Sequence, residues 1–332
     1  MKVDCHVHLI CLSKESGGYT RLGWFRNLMK PVLARRLKIV PAETDADREL
    51  LYTAVLADFV RHSELDRAVL LAFDEVYRKD GTRDEQRSRF YVPNDYVRDT
   101  AARHPDTFWF GASVHPYRPD AVDCLEKVRE EGAVLVKLLP NTHGYDPADK
   151  GLVSFYRALA RLKLPLLQHA GYEHTIPTQE QSYGDPERLR LALDEGVTVV
   201  VAHAGSAGRM HRQETFGTFL RLAIEYPNCY GDTSALCNVW RSKYLKALLD
   251  PKMTARKYNV EVENPFEKMI HGSDFPIPIT PSVLGRKVAR GARLDIGDFS
   301  NPLAADIALK RRAGVPDACL TRGFDEVGIR PR

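Results

Sequence analysis

The chain alternates between short apolar runs and longer stretches in which apolar residues recur every three or four positions. Runs of the first kind predict buried strands, and stretches of the second kind predict amphipathic helices. Regular alternation of the two is typical of a parallel sheet, because each helix carries the chain back to begin the next strand. Eight strands are predicted, at Val3–Ile10, Arg67–Phe73, Thr107–Val114, Ala133–Leu139, Leu164–His169, Val197–Ala202, Asn228–Thr233 and Lys268–Gly272.

The predicted helices lie between these strands and after the last one. Eight parallel strands that alternate with helices can close into a (β/α)8 barrel, a fold of about 250 residues. We therefore predict an α/β fold of the TIM-barrel type over residues 1–300. The helices are predicted at Asp45–Ser63, Asn94–Arg103, Asp120–Glu131, Leu152–Leu162, Pro186–Glu195, Phe216–Tyr226, Arg241–Leu249 and Pro302–Ala313.

Two segments exceed a minimal barrel. Residues 11–44 are too many for a plain connection after the first strand, and long loops at this face are often lids or binding loops. A subunit contact is the alternative role for this inserted loop. Residues 301–332 are predicted to form a C-terminal extension that is helical at Pro302–Ala313 and of low regularity from Arg322 onwards.

Composition and charge exclude several classes of protein. Of the 332 residues, 44% are hydrophobic and 28% are charged, which is usual for a soluble globular enzyme. The net charge of +4 is too small to indicate a nucleic-acid partner. No apolar stretch approaches the roughly 18 residues of a membrane span. The six cysteines show no C-x-x-C spacing, so reduced thiols and a cytoplasmic location are predicted.

Polar residues at the ends of the predicted strands are the candidate chemistry. His6 and His8 are two residues apart, so both side chains point to the same face of a strand. Two imidazoles on one face can bind a divalent metal. TIM barrels carry their active sites at the carboxyl ends of the strands, so the pattern predicts a metal-centred active site. Four further strand ends carry Lys137, His169, His203 and Asp274.

The two-residue period of a strand also predicts which neighbours share the barrel interior with these polar groups. Apolar partners are expected below each polar residue, because the interior of such a barrel is packed with side chains. Cys5 is expected to point away from its two histidine neighbours. The expected interior pairs are Leu135 with Lys137, Leu167 with His169 and Val201 with His203.

Six short motifs, taken in order, resemble the amidohydrolase superfamily, in the amidohydrolase-2 branch that includes aminocarboxymuconate semialdehyde decarboxylase and related hydrolases. They are DCHVHL, ASVHP, VKLLP, QHAG, AHAG and GSDFP, between residue 3 and about residue 276. The resemblance implies one divalent metal, usually zinc, with His203 as the acid–base residue that positions or deprotonates a water. The implied metal ligands are His6, His8, His169 and Asp274.

Lys137 bears on the number of metals. Members of the superfamily with two metals carry a carbamylated lysine at this position, and His203 would then be a ligand as well. A protonated lysine would instead repel a second cation and attract an anionic group of the substrate. An internal salt bridge is a third role. We favour one metal with a protonated Lys137.

The chemistry is consistent with these residue types. Bound Zn²⁺ lowers the pKa of water from about 15.7 to roughly 7. Asp274 could neutralise the charge of the metal and accept a proton, and His203 titrates in the range that acid–base catalysis needs. Arg118, Arg209 and Arg241 follow the third, sixth and seventh strands and could hold a substrate carboxylate.

Several other polar residues have a structural interpretation. Asp232, in the YGDTS segment at the end of the seventh strand, is either a supporting group of the site or a structural residue. His115, His143 and His174 are expected to be surface or loop histidines on the top face rather than ligands. His271 is expected to point away from the barrel axis and to be structural.

The leading hypothesis is a metal-dependent hydrolase that acts on a small C–O or C–N bonded substrate such as an amide, a lactone or a cyclic acid. The alternative is a metal-dependent non-oxidative decarboxylase of a small unsaturated or aromatic acid. A metal-dependent deoxyribonuclease is less favoured, because the charge is mild and no glutamate follows the fourth strand. A non-catalytic barrel is the least favoured. The expected partners are a small-molecule substrate and a second copy of the chain, without nucleic acid or membrane.

Overall fold

A computed structural model describes residues 1–21, 43–280 and 300–331. Eight parallel strands form one sheet in the order of the chain, which confirms the predicted TIM-barrel fold. Each strand lies within its predicted range. They are β1 (Val3–His8), β2 (Arg67–Leu71), β3 (Phe108–Ala112), β4 (Leu135–Leu138), β5 (Leu166–Gln168), β6 (Val199–Val201), β7 (Cys229–Asp232) and β8 (Met269–Ile270).

Backbone hydrogen bonds close the sheet between its last and first strands. The amide of Cys5 donates to the carbonyl of His271 over 3.1 Å. The amide of Asp274 donates to the carbonyl of His6 over 2.9 Å. The carboxyl ends of the eight strands therefore meet around one barrel mouth, where the candidate site residues lie.

Helices alternate with the strands at the predicted places, and most bounds agree within two residues. The segment predicted as a helix at Pro186–Glu195 begins as a 3-10 turn at Pro186–Leu189. The expected irregularity from Arg322 onwards is wrong for Arg322–Asp325, which belong to the helix Ala318–Asp325, and is confirmed for residues 326–331, which form no helix or strand. Within the described residues, α-helices lie at Asp45–Arg61, Asn94–Arg103, Ala121–Glu130, Pro140–His143, Val153–Leu162, Arg190–Asp194, Thr215–Glu225, Ser242–Leu249, Pro251–Tyr258, Pro302–Ala313 and Ala318–Asp325.

The barrel interior is filled by an apolar cluster to which every strand contributes. The C-terminal extension joins this cluster at the end opposite the polar strand ends, and the rings of Phe324 and Trp109 stack with centroids 6.1 Å apart. A TIM barrel is packed in this way, so the site lies above a solid core. The cluster contains Val3, Cys5, Val69, Leu71, Trp109, Val134, Leu135, Leu167, Val200, Ala202, Tyr230, Ile270, Phe324, Val327 and Ile329.

The interior positions of β6 differ from those expected. Val200 and Ala202 lie in the interior cluster, whereas Val201 packs in the cluster between sheet and helices. The prediction that Val201 shares the interior with His203 is therefore wrong. His203 reaches the barrel mouth because the backbone turns after the strand, with φ of 56° at His203 and 53° at Ala204.

Cys5 also differs from its expected orientation. The pairing of β1 with β2 is irregular between Asp4 and Val7, as at a β-bulge. A bulge places two successive side chains on similar sides of the strand. Cys5 therefore lies in the interior cluster instead of pointing away from His6, and this prediction is wrong. Leu135 and Leu167 occupy the interior as expected.

Residues 22–42 of the predicted inserted loop 11–44 lie outside the described residues. The described beginning of this loop is anchored to the first helix, where the amide and hydroxyl of Ser13 donate to the carboxylate of Glu49 over 2.8 and 2.6 Å.

Two short antiparallel strand pairs lie in loops outside the barrel sheet. They are Tyr19–Thr20 with Phe90–Tyr91 and Arg209–Met210 with Gln213–Glu214. Among the described helices, none has both the length and the apolar character that crossing a membrane requires.

Candidate metal centre

Three side chains from β1 and the segment after β8 converge at the barrel mouth. His8 Nε2 lies 3.1 Å from Asp274 Oδ1, and His6 Nε2 lies 3.4 Å from the same oxygen. Ligands bound tetrahedrally to an ion at 2.0–2.1 Å are separated by about 3.3 Å. The spacing of these three groups therefore fits a divalent metal.

Asp232, at the end of β7, lies behind His6. Its Oδ2 is 2.8 Å from His6 Nδ1, and both side chains are buried. A carboxylate that accepts the Nδ1–H leaves Nε2 free to bind, an arrangement common in metal-ligating histidines. Asp232, for which the sequence allows a supporting or a structural role, thus lies against the candidate ligand His6.

His203 lies beside this pair. Its backbone amide donates to Asp232 Oδ1 over 2.7 Å, and its Nδ1 is 2.7 Å from Ser234 Oγ. The same Nδ1 is 3.7 Å from Asp274 Oδ2. His203, His6 and Asp232 form a second group whose ligand atoms lie within 4.8 Å of one another. This geometry suits either an acid–base residue or a ligand.

His169, which follows β5, packs its ring against His203 with centroids 5.3 Å apart. Its Nε2 is buried and has no hydrogen-bond partner among the residues that the structure describes. A buried imidazole nitrogen without a partner is costly, and a bound ion would relieve that cost. The nitrogen lies 3.6 Å from Oε2 of Glu173, a buried carboxylate that sequence analysis missed. Its position four residues after His169, in QHAGYEH, was the available signal.

Lys137 lies on β4 and is buried. Its Nζ is 3.2 Å from His6 Nε2. Burial lowers the pKa of Lys137 to about 8, while the charges of Asp232 and Asp274 favour the protonated form. The ammonium group therefore lies beside the candidate ligand His6.

The charges of the site suit a cation. Burial, together with the positive charge of Arg241, lowers the pKa of His203 well below its usual range, which differs from the expectation that it titrates in the range of acid–base catalysis. Burial and the charge of Lys137 do the same for the pKa of His169. Burial alone would raise the pKa of Asp274, but the neighbouring imidazoles lower it to about 2. Neutral imidazoles and an ionised carboxylate are the forms that bind metals.

The three arginines predicted to hold a substrate carboxylate lie in different places relative to the site. Arg241 Nη1 donates to the carbonyl and hydroxyl oxygens of Ser206, each over 2.8 Å. Its charge acts on Asp274, and burial lowers its pKa, so Arg241 belongs to the surroundings of the site. Arg118 instead pairs with Asp120 over 3.0 Å and is not brought to the site.

Arg209 is exposed and lines a cavity of about 340 Å³ near the barrel mouth. Trp240 lines the same cavity and is 75% exposed, and it precedes Arg241 in the chain. The loops after β5, β6 and β7 thus form a recess beside Arg241. Its other lining residues are Tyr172, Ala207, Gly208, Glu214, Lys243 and Tyr244.

The remaining histidines lie away from the candidate ligands. His115 and His143 are fully buried and not on the surface, which corrects part of the expectation. His115 Nε2 lies 3.0 Å from the carbonyl of His143, and His143 Nδ1 accepts from the amide of Leu139 over 3.1 Å. Both rings therefore have a structural role. His174 is exposed, and His271 is buried.

Comparison with known proteins gives the family. The amidohydrolase family model matches residues 3–306, which is nearly the whole chain. The chain therefore belongs to the amidohydrolase family, whose members are enzymes and are generally metal-dependent. No curated protein sequence matches the chain.

Solved structures share the fold at low sequence identity. An uncharacterised TIM-barrel protein of Bordetella bronchiseptica is 15% identical with a TM-score of 0.54, over 94% of this chain and 99% of its own. A probable 2-pyrone-4,6-dicarboxylic acid hydrolase of Acinetobacter baumannii is 14% identical with a TM-score of 0.53, over 97% and 98%. The 5-carboxyvanillate decarboxylase of Sphingomonas paucimobilis is 14% identical with a TM-score of 0.52, over 97% and 96%.

Proposed function

We propose that the protein is a metal-dependent hydrolase of a small C–O or C–N bonded substrate. The observation that carries the proposal is the convergence of His6, His8 and Asp274 at the barrel mouth, with ligand atoms 3.1 and 3.4 Å apart. A divalent ion bound there would supply a hydroxide source at neutral pH and polarise the bond to be broken. His169, whose buried Nε2 has no hydrogen-bond partner in the described residues, is the fourth proposed ligand, and Zn²⁺ is the proposed metal.

The residues around these ligands are assigned separate tasks. His203 moves the proton of the attacking water, because its neutral imidazole lies 3.7 Å from the Asp274 carboxylate. Ser234 orients the His203 ring through the 2.7 Å contact at Nδ1. The protonated Lys137 attracts an anionic group of the substrate and disfavours a second metal. Arg241 holds a substrate carboxylate at the rim of the site.

One observation also favours non-oxidative decarboxylation. Arg241 is half-buried, and its positive charge acts on the His169 and His203 imidazoles. A carboxylate held there would lie next to the candidate ligands, as the reacting group of a decarboxylase must. The solved neighbours include proteins named for each reaction, among them a probable 2-pyrone-4,6-dicarboxylic acid hydrolase and a 5-carboxyvanillate decarboxylase.

The test uses protein stripped with a chelator and reloaded with Zn²⁺, Mn²⁺ or Co²⁺. 2-Pyrone-4,6-dicarboxylate, simple lactones and amides, 5-carboxyvanillate and a DNA oligonucleotide serve as probes in ¹⁸O-labelled water. Hydrolysis places one solvent oxygen in the product, whereas decarboxylation releases CO₂ and leaves no solvent oxygen behind. We expect metal-dependent turnover with ¹⁸O incorporation.

Three other outcomes of this experiment would contradict the proposed hydrolase. CO₂ release from the aromatic acid alone would replace the hydrolase by the decarboxylase. Cleavage of the oligonucleotide would favour the deoxyribonuclease. Full activity of the stripped protein would overturn the metal-dependent proposal altogether.

Three further proposals concern the domain limits, the cellular location and the oligomeric state of the enzyme. We infer that residues 1–300 form the catalytic barrel with the inserted loop 11–44, and that residues 301–332 are its extension. We expect a cytoplasmic homodimer acting on small molecules. Sedimentation equilibrium of the metal-loaded chain tests the dimer, and a monomer at micromolar concentration would contradict it.

A further inference from the structure

The segment Gly272–Asp274 carries one candidate ligand in an unusual backbone conformation. Asp274 has φ of 62°, in the left-handed region that residues other than glycine rarely occupy. Such a conformation persists only where the surrounding contacts impose it. One contact comes from β1, because the amide of Asp274 donates to the carbonyl of His6 over 2.9 Å.

A second contact comes from Asp4, whose side chain is fully buried. Its Oδ1 accepts from the amide of His6 over 3.1 Å and from the amide of Ser273 over 2.9 Å. Asp4 Oδ1 thus bridges the backbone of the candidate ligand His6 and that of Ser273, the residue before the candidate ligand Asp274. Asp4 does not touch the candidate metal position, so its role is exerted through His6 and Asp274.

A third contact comes from the C-terminal extension. Lys310, on the helix Pro302–Ala313, is only 3% exposed, and its Nζ donates to the carbonyl of Gly272 over 2.7 Å. The same ammonium pairs with Asp306 Oδ2 at 2.5 Å and acts electrostatically on Asp4. A buried ammonium is costly unless it is fully paired, so this contact is specific.

The segment has little room to shift. A Cβ atom placed on Gly272 would lie 2.9 Å from Cβ of His6 and 3.1 Å from Cβ of Ser234. The backbone after β8 therefore packs directly on the candidate ligand His6. A small displacement of Gly272 would move Asp274 and His6 relative to each other.

We infer that Asp4 and Lys310 are positioning residues that hold the Gly272–Asp274 segment, and through it the Asp274 carboxylate, against His6 and His8. The C-terminal extension is then a part of the metal centre. The inference rests on the proposed metal-binding function. Measuring the metal affinity of the wild-type chain first keeps the two separable, since failure of the wild type to bind metal counts against the proposed function alone.

The Asp4 half of the inference is tested with a matched pair. Asp4→Asn removes the negative charge but keeps an acceptor oxygen for both amides, and its amino group replaces Oδ2, which has no hydrogen-bond partner in the described part of the chain. Asp4→Ala removes the acceptor. We expect the Zn²⁺ affinity, measured by chelator competition, to fall about tenfold or more in Asp4→Ala and by less than about threefold in Asp4→Asn.

The Lys310 half is tested by a second pair. Lys310→Met with Asp306→Leu removes the contact to Gly272 without leaving a buried charge unpaired. Asp306→Asn removes the ion pair but keeps the lysine donor to Gly272. We expect the double variant to lose about tenfold in Zn²⁺ affinity and the single variant to lose less.

The visible spectrum of the Co²⁺-loaded chain gives a readout that a merely structural role would not change, because it depends on the arrangement of the ligands. We expect an altered spectrum in Asp4→Ala and in the double variant. A lower melting temperature of the metal-free protein, with unchanged Zn²⁺ affinity and an unchanged Co²⁺ spectrum, would overturn the inference. If the double variant does not fold, the Asp4 pair decides.

Discussion

His6 Nδ1 lies 2.8 Å from Asp232 Oδ2, although the two residues are 226 positions apart in the chain. Both side chains are buried, and the contact keeps Nε2 of His6 on the side of Asp274. Burial alone would raise the pKa of Asp232, but the adjacent imidazole holds it well below its usual range. The carboxylate is therefore ionised and fixes the orientation of the ring.

Replacing Asp232 by Asn should weaken metal binding, because the amide is a poorer acceptor for the His6 Nδ1–H. Loss of such a supporting carboxylate costs about 10–100-fold in metal affinity. Chelator competition with Zn²⁺ measures the change, and Asp120→Asn, a half-exposed carboxylate paired with Arg118, is the control. Equal affinities in wild type and Asp232→Asn would show that the contact does not serve the metal.

The double variant His6→Ala, His8→Ala should bind almost no metal while its circular-dichroism spectrum stays that of a barrel. Two of the proposed ligands are lost, but the strand remains paired on both sides. Metal content per chain, measured by atomic emission, is the readout. His62→Ala removes an exposed histidine and is the control. Full occupancy in the double variant would refute the ligand assignment.

The His203→Asn variant should keep its metal and lose turnover by about 10²–10⁴-fold, the usual contribution of a positioned acid–base residue. The Asn amide can still donate a hydrogen bond to Ser234 Oγ, whose own proton goes to Asp232, but Asn cannot carry a proton. The comparison requires kcat and metal content on the same preparation. Loss of the metal together with activity would make His203 a ligand and favour two metals.

The Lys137→Met variant should retain one metal per chain. Its KM for a carboxylate substrate should rise, because a buried ammonium 3.2 Å from His6 Nε2 is replaced by an apolar side chain. Lys252→Gln changes an exposed cation on the helix Pro251–Tyr258, which does not line the recess beside Arg241, and is the control. Two metals in the wild type, falling to one or none in Lys137→Met, would instead show a carbamylated lysine.

Stability should fall on acidification partly through His115, whose burial lowers its pKa to about 3. In the unfolded chain this pKa is about 6.5, so protons bind the unfolded chain more readily. The stabilising effect is therefore complete above about pH 6.5 and is lost as the pH falls towards 3. Between pH 6.5 and 5 the loss is about 2 kcal/mol.

Urea unfolding of wild type and His115→Gln at pH 7 and pH 5 isolates this contribution, because glutamine does not titrate. The variant is expected to be less stable at pH 7 but to lose less on acidification. The same pH dependence in both proteins would contradict the assignment to His115.

The fold and part of the site could be predicted because they depend on local patterns. Alternating apolar runs and helical stretches placed eight strands, and the two-residue spacing of His6 and His8 placed both imidazoles on one face. The strand ends that carry Lys137, His169 and Asp274 follow from the same periodicity, since parallel strands present their carboxyl ends at one edge. Their roles as ligands or clamps stay predictions.

Backbone irregularities could not be read from the pattern. The bulge in β1 turned Cys5 into the interior, and the left-handed turn after β6 brought His203 to the site although Val201 points outwards. A period of two holds only while the strand is regular. The sequence pattern therefore placed Cys5 and His203 on the correct strands but predicted the wrong neighbours for them.

By itself, the sequence determined the barrel, its order of strands and the face on which chemistry can occur, because these depend on hydrophobic periodicity over short distances. Only the tertiary structure decided that Asp232 supports His6, that Arg241 and not Arg118 borders the site, and that Lys310 reaches the Gly272 carbonyl. These contacts join residues far apart in the chain. They depend on where closure of the barrel and packing of the C-terminal helix bring each side chain, which no local pattern contains.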